Sequence, residues 1–205
     1  PVVDQWVFRL LEHVNHHFSS NYKISRNFKQ YCTIDIDNAY AFKHKGILRT
    51  TAGTLKDGLT KPTKLKQRWG TYMRNSKDPY DTYSYIQHVS KNKKLEVLFF
   101  FLLGDYAQYD KNIRFDHPKM ISLIKQLGNT STIGIHPSYA SNKNSKMIGI
   151  EKQRLEHILG KSVHHNRFHF LKFSLPTSYQ QLLAYGITDD YSMGYADQIG
   201  FRAGT

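Results

Sequence analysis

The residues from Leu95 to Leu103 form an apolar run that only Glu96 interrupts. The run is shorter than the roughly 18 residues that a membrane-spanning helix requires. Its length and composition are typical of a strand buried on both faces, as strands are in parallel sheets. Because parallel strands must be joined by long crossovers, usually helical ones, the run predicts an α/β fold.

The remainder of the chain alternates between strand and helix patterns in agreement with this prediction. Further strands are predicted over 30–36 and 131–135 and within 163–170, with a last short strand beginning at Ile187. Helices are predicted between the strands, near 64–73 and over 82–91, 118–127, 150–159 and 178–185. This order predicts parallel strands joined by helical crossovers.

Two segments stand apart from the alternation. An amphipathic helix over 2–18 presents Trp6 and Leu10 on one apolar face, and we expect that face to pack against the fold. The stretch 43–80 is polar and basic, and apart from the short helix it is predicted to be extended. We therefore expect one domain over 1–205, with 1–29 as a helix and lead-in and with the C-terminal end of the fold missing.

Composition narrows the possible functions. A single cysteine, Cys32, excludes an internal disulfide framework and a cysteine-rich zinc site. The sequence contains no secretory signal pattern, so a cytoplasmic location is expected. The net charge of +13 is compatible with a basic surface or with attraction to polyanions such as nucleic acid or an acidic glycan.

Polar side chains gather where the predicted strands end. In a parallel barrel those ends meet at one rim, where active sites are found. The residues at the five strand ends are Asp35, Asp37, Gly104, Asp105, His136, Arg167, His169, Asp189 and Asp190, all polar except the glycine. Strand alternation also places His165 on the face of Arg167 and His169.

Each of these residues also has a purely structural interpretation. Asp37 and Asn38 are suited to capping a following segment, and His136 to satisfying a local hydrogen bond. His164, His165 and His169 are compatible with a surface cluster. Eleven histidines beside one cysteine nevertheless favour an ion bound by nitrogen and oxygen, with zinc first and cobalt, nickel or manganese as alternatives.

Four motifs, in order, resemble those of the polysaccharide deacetylase superfamily. Thr33–Asp37 reads Thr-Ile-Asp-Ile-Asp and resembles the first motif, and Gly134–Ser138 resembles the second, which carries a metal-binding histidine. Arg167–Phe170 resembles the third and Gly186–Tyr195 the fourth. The closing residues 200–205 look like the bacterial branch of this family, and the resemblance spans about 30–205.

The resemblance implies a distorted (β/α) barrel and metal-dependent removal of acetyl groups from a carbohydrate. Asp35 would be the general base, and Asp37 and His136 would bind the metal. Arg167 would orient Asp35, and Asp190 would steady Arg167 through a charge-assisted pair.

Three further residues, Asn38, Asp105 and Tyr139, are predicted to contact the substrate, with Tyr139 donating to the developing oxyanion. The expected partner is an acetylated glycan, with neither nucleic acid nor a membrane.

Two departures from the family pattern matter. The second motif of the family carries another histidine four positions after the first, where this chain has Ala140. A catalytic zinc usually takes three protein ligands, so we predict that His169 supplies the third. The general-acid histidine of the family's last motif has no counterpart before Thr205. Two alternatives therefore remain: a non-catalytic member that binds a glycan through aromatics such as Trp69, Tyr72 and Tyr139, and a basic nucleic-acid-binding module.

Overall fold

Five parallel strands, hydrogen-bonded in the order of the chain, form the sheet of this protein. The computed structural model describes residues 2–25, 29–74, 76–200 and 202. The strands are β1 (Tyr31–Ile36), β2 (Glu96–Phe101), β3 (Thr132–Ile135), β4 (His165–Asn166) and β5 (Asp189–Asp190). The helices are α1 (Val2–His17), α2 (Ile47–Thr60), α3 (Pro62–Met73), α4 (Tyr83–Lys93), α5 (Pro118–Gly128), α6 (Lys146–Leu159) and α7 (Thr177–Ala184). With their helices, the strands form a curled half-barrel, which confirms the predicted α/β fold as an incomplete barrel.

Strand β2 lies at the centre of the core. Its side chains alternate between two environments, as the period of a strand requires. Phe99 and Phe101 are fully buried in the apolar cluster that includes Met120 and Ile124 of α5. Phe100 is also fully buried but is not part of that cluster, and its register partner on β1 is Asp35. One face of the sheet is therefore apolar, and the other carries residues of the polar rim.

Gly134 allows the inner face of the sheet to close tightly. A Cβ atom at this position would lie 2.5 Å from a ring carbon of Phe100 and 2.8 Å from the carbonyl oxygen of His165. Even alanine at position 134 would therefore force the ring of Phe100 or the backbone of His165 to move. The glycine of the second motif is needed for close packing of β3 against its neighbours.

The side chain of Asn112 joins the ends of the first two strands. Its Nδ2 donates to the carbonyl oxygens of Ile36 (3.1 Å) and Leu102 (3.0 Å). Its Oδ1 accepts from the backbone N–H groups of Ala39 and Ile113. Because Asn112 is buried, these bonds fix the backbone where it leaves β1, immediately beside Asp37.

The basic stretch 43–80 is more helical than predicted. It contains both α2 and α3, whereas only the second of these helices was expected. The two helices are joined by a buried ion pair in which Arg68 donates to Asp57 Oδ2 at 2.6 and 3.0 Å. Gly53 leaves room for this guanidinium, since a Cβ there would lie 2.8 Å from one of its nitrogens. A contact across eleven residues is invisible to local propensity, which explains the error.

The strand predicted within 163–170 is confirmed as β4, which is two residues long. Two other predictions on elements were wrong. Helix α6 begins four residues earlier than expected, at Lys146. Helix α1 exists, but none of its residues is buried, and both Trp6 and Leu10 are 63% exposed. Its apolar face therefore does not pack as expected. No helix in the described part of the chain is long and apolar enough to cross a membrane.

Candidate functional site

Asp37, His136 and His169 converge at the rim. One ligand atom from each lies within 4.8 Å of the others. The Nε2 atom of His136 is 3.0 Å from Asp37 Oδ1, and that of His169 is 3.7 Å from Asp37 Oδ2. The two imidazoles are buried, whereas half of the Asp37 side chain is exposed. The geometry thus presents two nitrogens and a carboxylate around one accessible point.

The orientation of His136 follows from its place after β3. Its backbone N–H extends the sheet by donating to the carbonyl oxygen of Phe101, and its ring Nδ1 lies 2.6 Å from the carbonyl oxygen of Arg167. A carbonyl oxygen only accepts hydrogen bonds, so Nδ1 must carry the proton. The Nε2 atom of the ring then faces Asp37, 3.0 Å from its Oδ1.

A buried carboxylate orients His169 in the same way. The ring Nδ1 lies 3.1 Å from Asp110 Oδ1, and that oxygen also accepts the backbone N–H of Tyr139 at 2.8 Å. Burial lowers the pKa of His169, and the nearby His136 lowers it further, against the raising effects of Asp37 and Asp110. A neutral imidazole held by a carboxylate through one nitrogen is the form in which histidine binds metals.

The charge of Asp37 also suits the binding of a metal ion. Burial acts to raise its pKa, but the hydrogen bond and charge of His136, together with the charge of His169, outweigh it, so the pKa lies below its ordinary value. With a bound cation, each ring would use its Nε2 lone pair beside the carboxylate. The donor set of two nitrogens and one oxygen, with an open side, fits a divalent metal ion.

Asp35 lies beside this group and is held by Arg167. The guanidinium donates to Asp35 Oδ1 at 3.2 Å, to Thr33 Oγ1 at 2.7 Å and to the carbonyl oxygen of Tyr191 at 3.1 Å. It also lies 5.1 Å from the centre of the Phe100 ring. These contacts leave the guanidinium little freedom and present Asp35 to the cavity from a defined direction.

A cavity of about 500 Å³ brings the two groups together. Asp35, Asp37, His136, Arg167 and His169 all line it. The structure thus assembles five of the nine predicted site residues in one concave space. This is the size of cavity that holds a small ligand.

Asp190 differs from its prediction. Its carboxylate accepts hydrogen bonds from Asn166 Nδ2 at 2.6 Å, Ser192 Oγ at 2.7 Å and Tyr179 Oη at 3.2 Å. Within the described residues it forms no bond with Arg167, so the expected charge-assisted pair is absent. Asp190 instead links β4, α7 and the chain after β5, because Asn166, Tyr179 and Ser192 already donate hydrogen bonds to its carboxylate.

The three predicted substrate contacts lie around the cavity rather than in it. Asn38 lines a neighbouring cavity of about 440 Å³ together with Asp35 and Asp37. The Tyr139 hydroxyl accepts a bond from Lys172 at 3.1 Å, and its ring lies 4.5 Å from that of Tyr109. Asp105 lines a separate cavity and pairs with Arg154 at 3.1 Å.

His165, which alternation places on the face of Arg167, does not line the cavity of Asp37. Its Nδ1 lies 3.9 Å from Asp189 Oδ2, and its ring centre lies 6.0 Å from that of Tyr191. His169 reaches the site through the turn at Phe170 and not through a strand. Two residues on one predicted strand face thus have different surroundings.

Sequence reasoning missed Asp110, which orients His169. Asp110 is 1% exposed, and its Oδ2 is buried without a hydrogen-bond partner among the described residues. It lies in the irregular stretch between β2 and α5, 59 residues from the histidine that it contacts. No local pattern marks such a residue, because the same polar stretch also contains Asp105 and Asp116.

Replacement of Asp110 by asparagine is expected to weaken zinc binding by about 10- to 100-fold, the usual cost of losing a carboxylate behind a histidine ligand. The amide is similar in size and its oxygen can still accept the Nδ1–H of His169, but it lacks the negative charge that makes the ring a stronger ligand. Competition with a fluorescent zinc chelator measures the affinity. Asp116→Asn, on the exposed side of the same loop, is the control and should bind zinc like the wild type. Equal zinc affinity in both variants would contradict this role.

A second buried acid, Glu151, supports the loop that follows His136. Its carboxyl group contacts the backbone N–H of Ser138 at 2.9 Å and the Ser138 hydroxyl at 2.5 Å. Burial raises the pKa of Glu151 to about 7, although the hydrogen bonds from Ser138 act to lower it. The folded state therefore favours the protonated form of this residue near neutral pH.

Glu151 makes folding stability depend on pH. Because its folded pKa lies above the ordinary value, its stabilising contribution is complete below about pH 4.5 and is lost as pH rises through about 7. We expect the free energy of unfolding to fall by about 2 kcal/mol between pH 5 and pH 8 from this residue. Glu151→Gln, which retains both bonds to Ser138, should remove that part of the dependence. Urea unfolding of both proteins at the two pH values measures it, and identical pH profiles would contradict the assignment.

Comparison with known proteins adds a likeness in fold. No model of a protein family and no curated protein matches the chain. A Mycobacterium smegmatis protein, provisionally assigned as a polysaccharide deacetylase, is similar with a TM-score of 0.49 and 12% identity over 85% of this chain. IcaB from Ammonifex degensii is similar with a TM-score of 0.44 and 13% identity, covering 82% of this chain and 85% of its own. The chain spans 55% of the mycobacterial protein.

Proposed function

We propose that this chain is the metal-binding part of a zinc-dependent hydrolase that removes acetyl groups from a carbohydrate. The observation that carries the proposal is the convergence of Asp37, His136 and His169, each imidazole fixed with its Nε2 toward the carboxylate. The cavity that holds them also contains an acid, Asp35, positioned by Arg167. The motif resemblance suggests the reaction, and the geometry supplies residues for it.

Each residue has a distinct task in this proposal. A divalent ion at this point would supply Lewis-acid chemistry, polarising a carbonyl group and lowering the pKa of water. Asp35 accepts the proton of the attacking water, since its carboxylate faces the cavity and is held in one orientation. Arg167 fixes that carboxylate and shields its charge in the absence of substrate. His136 and His169 direct their Nε2 atoms toward Asp37 because their Nδ1 atoms are engaged by the carbonyl oxygen of Arg167 and by Asp110.

Acetate release is the direct test of this function. The purified chain, loaded with zinc, is incubated with an N-acetylglucosamine tetrasaccharide and a per-O-acetylated disaccharide, and acetate is quantified enzymatically. We expect release that a chelator abolishes and that added zinc restores. Absence of release from both substrates by a zinc-loaded protein would contradict the proposal as it concerns this chain.

A binding function without catalysis is the second candidate, and one observation favours it. The rings of Tyr109, Tyr139 and Phe170 lie within 4.5–5.9 Å of each other beside His169, and Phe170 is 59% exposed. Exposed aromatic faces of this kind suit the apolar faces of sugar rings. Saturable binding of the tetrasaccharide without acetate release would support this candidate over the hydrolase.

A further inference from the structure

A second cavity at the rim has a different character from the zinc-binding one. It has a volume of about 510 Å³ and lies at the carboxyl end of β2, between the starts of α2 and α5. Its polar walls are largely cationic or nitrogen-bearing. They include His44, Lys45, Arg49, Arg114 and His117, with Asp105 as the acid of the lining.

The charges of this cavity are not balanced from within. Asp105 is neutralised by Arg154 at 3.1 Å, and Arg114 is neutralised by Asp116 at 2.6 Å. Lys45 and Arg49 remain, and neither forms an ion pair within the described residues. Two half-buried cations therefore share one concave space without a direct ion pair among the described residues, although the charge of Asp78 acts on Lys45.

Both cations retain hydrogen-bond donors. Arg49 donates to the carbonyl oxygens of Lys111 at 2.6 Å and Asn112 at 3.1 Å, and its guanidinium lies 4.3 Å from the centre of the Tyr106 ring. Lys45 donates to Asn38 Oδ1 at 3.4 Å. A guanidinium has five N–H groups and an ammonium three, so donors are left over on each.

The neighbouring groups contribute to the same potential. His117 accepts the backbone N–H of Lys119 at its Nδ1, so its Nε2 carries a proton and donates. Burial and the proximity of Arg49 lower the pKa of Lys45 to about 8, against the raising effect of Asp78. The ammonium is thus held at a cost that a bound anion would offset.

Asn38 connects this cavity to the candidate active site. Its side chain accepts a hydrogen bond from Lys45. Asn38 also lines the cavity of about 440 Å³ that Asp35 and Asp37 share with the candidate site. A ligand that occupies both the Lys45 cavity and the candidate active site would cross the rim beside Asn38. A glycan chain has the extended form required for this.

We propose that the cavity of Lys45 and Arg49 binds an oxyanion, a carboxylate or sulfate carried by the glycan whose acetylated unit lies at Asp37. This inference rests on the proposed function and specifies its substrate as an acidic glycan. The charge-assisted hydrogen bonds that the two cations would form are directional and stronger than neutral ones. The overall charge of +13 acts in the same direction by attracting polyanionic chains.

Binding to defined probes tests the inference. The probes are a tetrasaccharide of alternating N-acetylglucosamine and glucuronate, the neutral N-acetylglucosamine tetrasaccharide, inorganic phosphate and a single-stranded oligonucleotide. We expect calorimetry at low salt to show about tenfold tighter binding of the acidic tetrasaccharide than of the neutral one, the effect of one charged hydrogen bond. Lys45→Met, which keeps the aliphatic stem, should abolish that preference, and Arg49→Gln should do the same.

Lys56→Ala is the matched control, since it removes a positive charge from the exposed side of α2 without lining the cavity. It should retain the preference, and thermal unfolding confirms that each variant is folded. Equal affinity for the acidic and neutral tetrasaccharides would overturn the inference. Tighter binding of phosphate or of the oligonucleotide than of the acidic tetrasaccharide would also overturn it, in favour of a free anion or a nucleic acid.

Failure of this inference can be told from failure of the proposed function. Asp37→Ala removes a zinc ligand and lies outside the Lys45 cavity. It should lose zinc and acetate release yet keep the preference for the acidic tetrasaccharide. Conversely, an active zinc enzyme without the preference refutes only the acidic-glycan inference.

Discussion

Alanine in place of His169 is expected to reduce zinc affinity by more than about 100-fold and to abolish acetate release. The substitution leaves only Asp37 and His136, and two protein ligands make a poor catalytic zinc site. Loss of a carboxylate behind a ligand already costs about 10- to 100-fold, so loss of the ligand itself should cost more. Zinc content is measured by mass spectrometry after dialysis, with acetate release measured on the same samples.

The control for His169 is another histidine of the same segment. His164 is exposed, and its ring Nδ1 contacts the carbonyl oxygen of Gly186 away from the cavity. His164→Ala should keep both zinc and activity. Unchanged zinc content in His169→Ala would show that the third ligand is a different residue.

Asparagine in place of Asp35 is expected to lower kcat for acetate release by about 10³-fold, within the range of general-base catalysis, while zinc content stays the same. The amide is similar in size to the carboxylate and can still accept the bond from Arg167, but it cannot take a proton from water. Steady-state kinetics and zinc analysis of the same preparation measure the two quantities. Asp189→Asn, at a half-exposed carboxylate of β5 outside the cavity, is the control.

Two outcomes would contradict the role of Asp35. Loss of zinc together with activity would make Asp35 a metal ligand. An unchanged rate would place the base elsewhere. Arg167→Met adds a separate observation, because it should lower the rate through a mispositioned Asp35 without removing zinc.

The first three strands and the residues that end them were predictable from the sequence. The apolar run in β2 and the alternating pattern of β1 are local signals, and Asp37 and His136 directly follow β1 and β3. Asp35, Asp37 and His136 therefore followed from strand ends alone. Parallel pairing made their proximity a consequence of topology.

His169 was predicted for an incomplete reason. Strand alternation suggested the residue, yet it reaches the cavity through the left-handed backbone at Phe170 and Leu171. Positive φ values at such residues arise from tertiary packing and have no sequence signature. His165, two residues before Arg167, pairs with Asp189 in the sheet and does not line the cavity.

The parts that sequence could not supply depend on contacts between distant segments. Asp110 contacts His169 across 59 residues, and Asp190 is engaged by Asn166, Tyr179 and Ser192 before it can reach Arg167. The helix α2 depends in part on the buried pair of Asp57 with Arg68. Motif order predicted which residues gather at the rim, whereas the partner of each carboxylate emerged only from packing.

X-ray absorption spectroscopy at the zinc edge shows directly which atoms bind a zinc ion. We expect one zinc ion per chain, with two imidazole nitrogens at about 2.0–2.1 Å and a carboxylate oxygen at about 2.0–2.2 Å. Substitution of His169 by alanine should remove one of the two imidazoles from the spectrum. Zinc bound by a different ligand set, or no stoichiometric zinc in the folded protein, would contradict a metal centre at Asp37, His136 and His169.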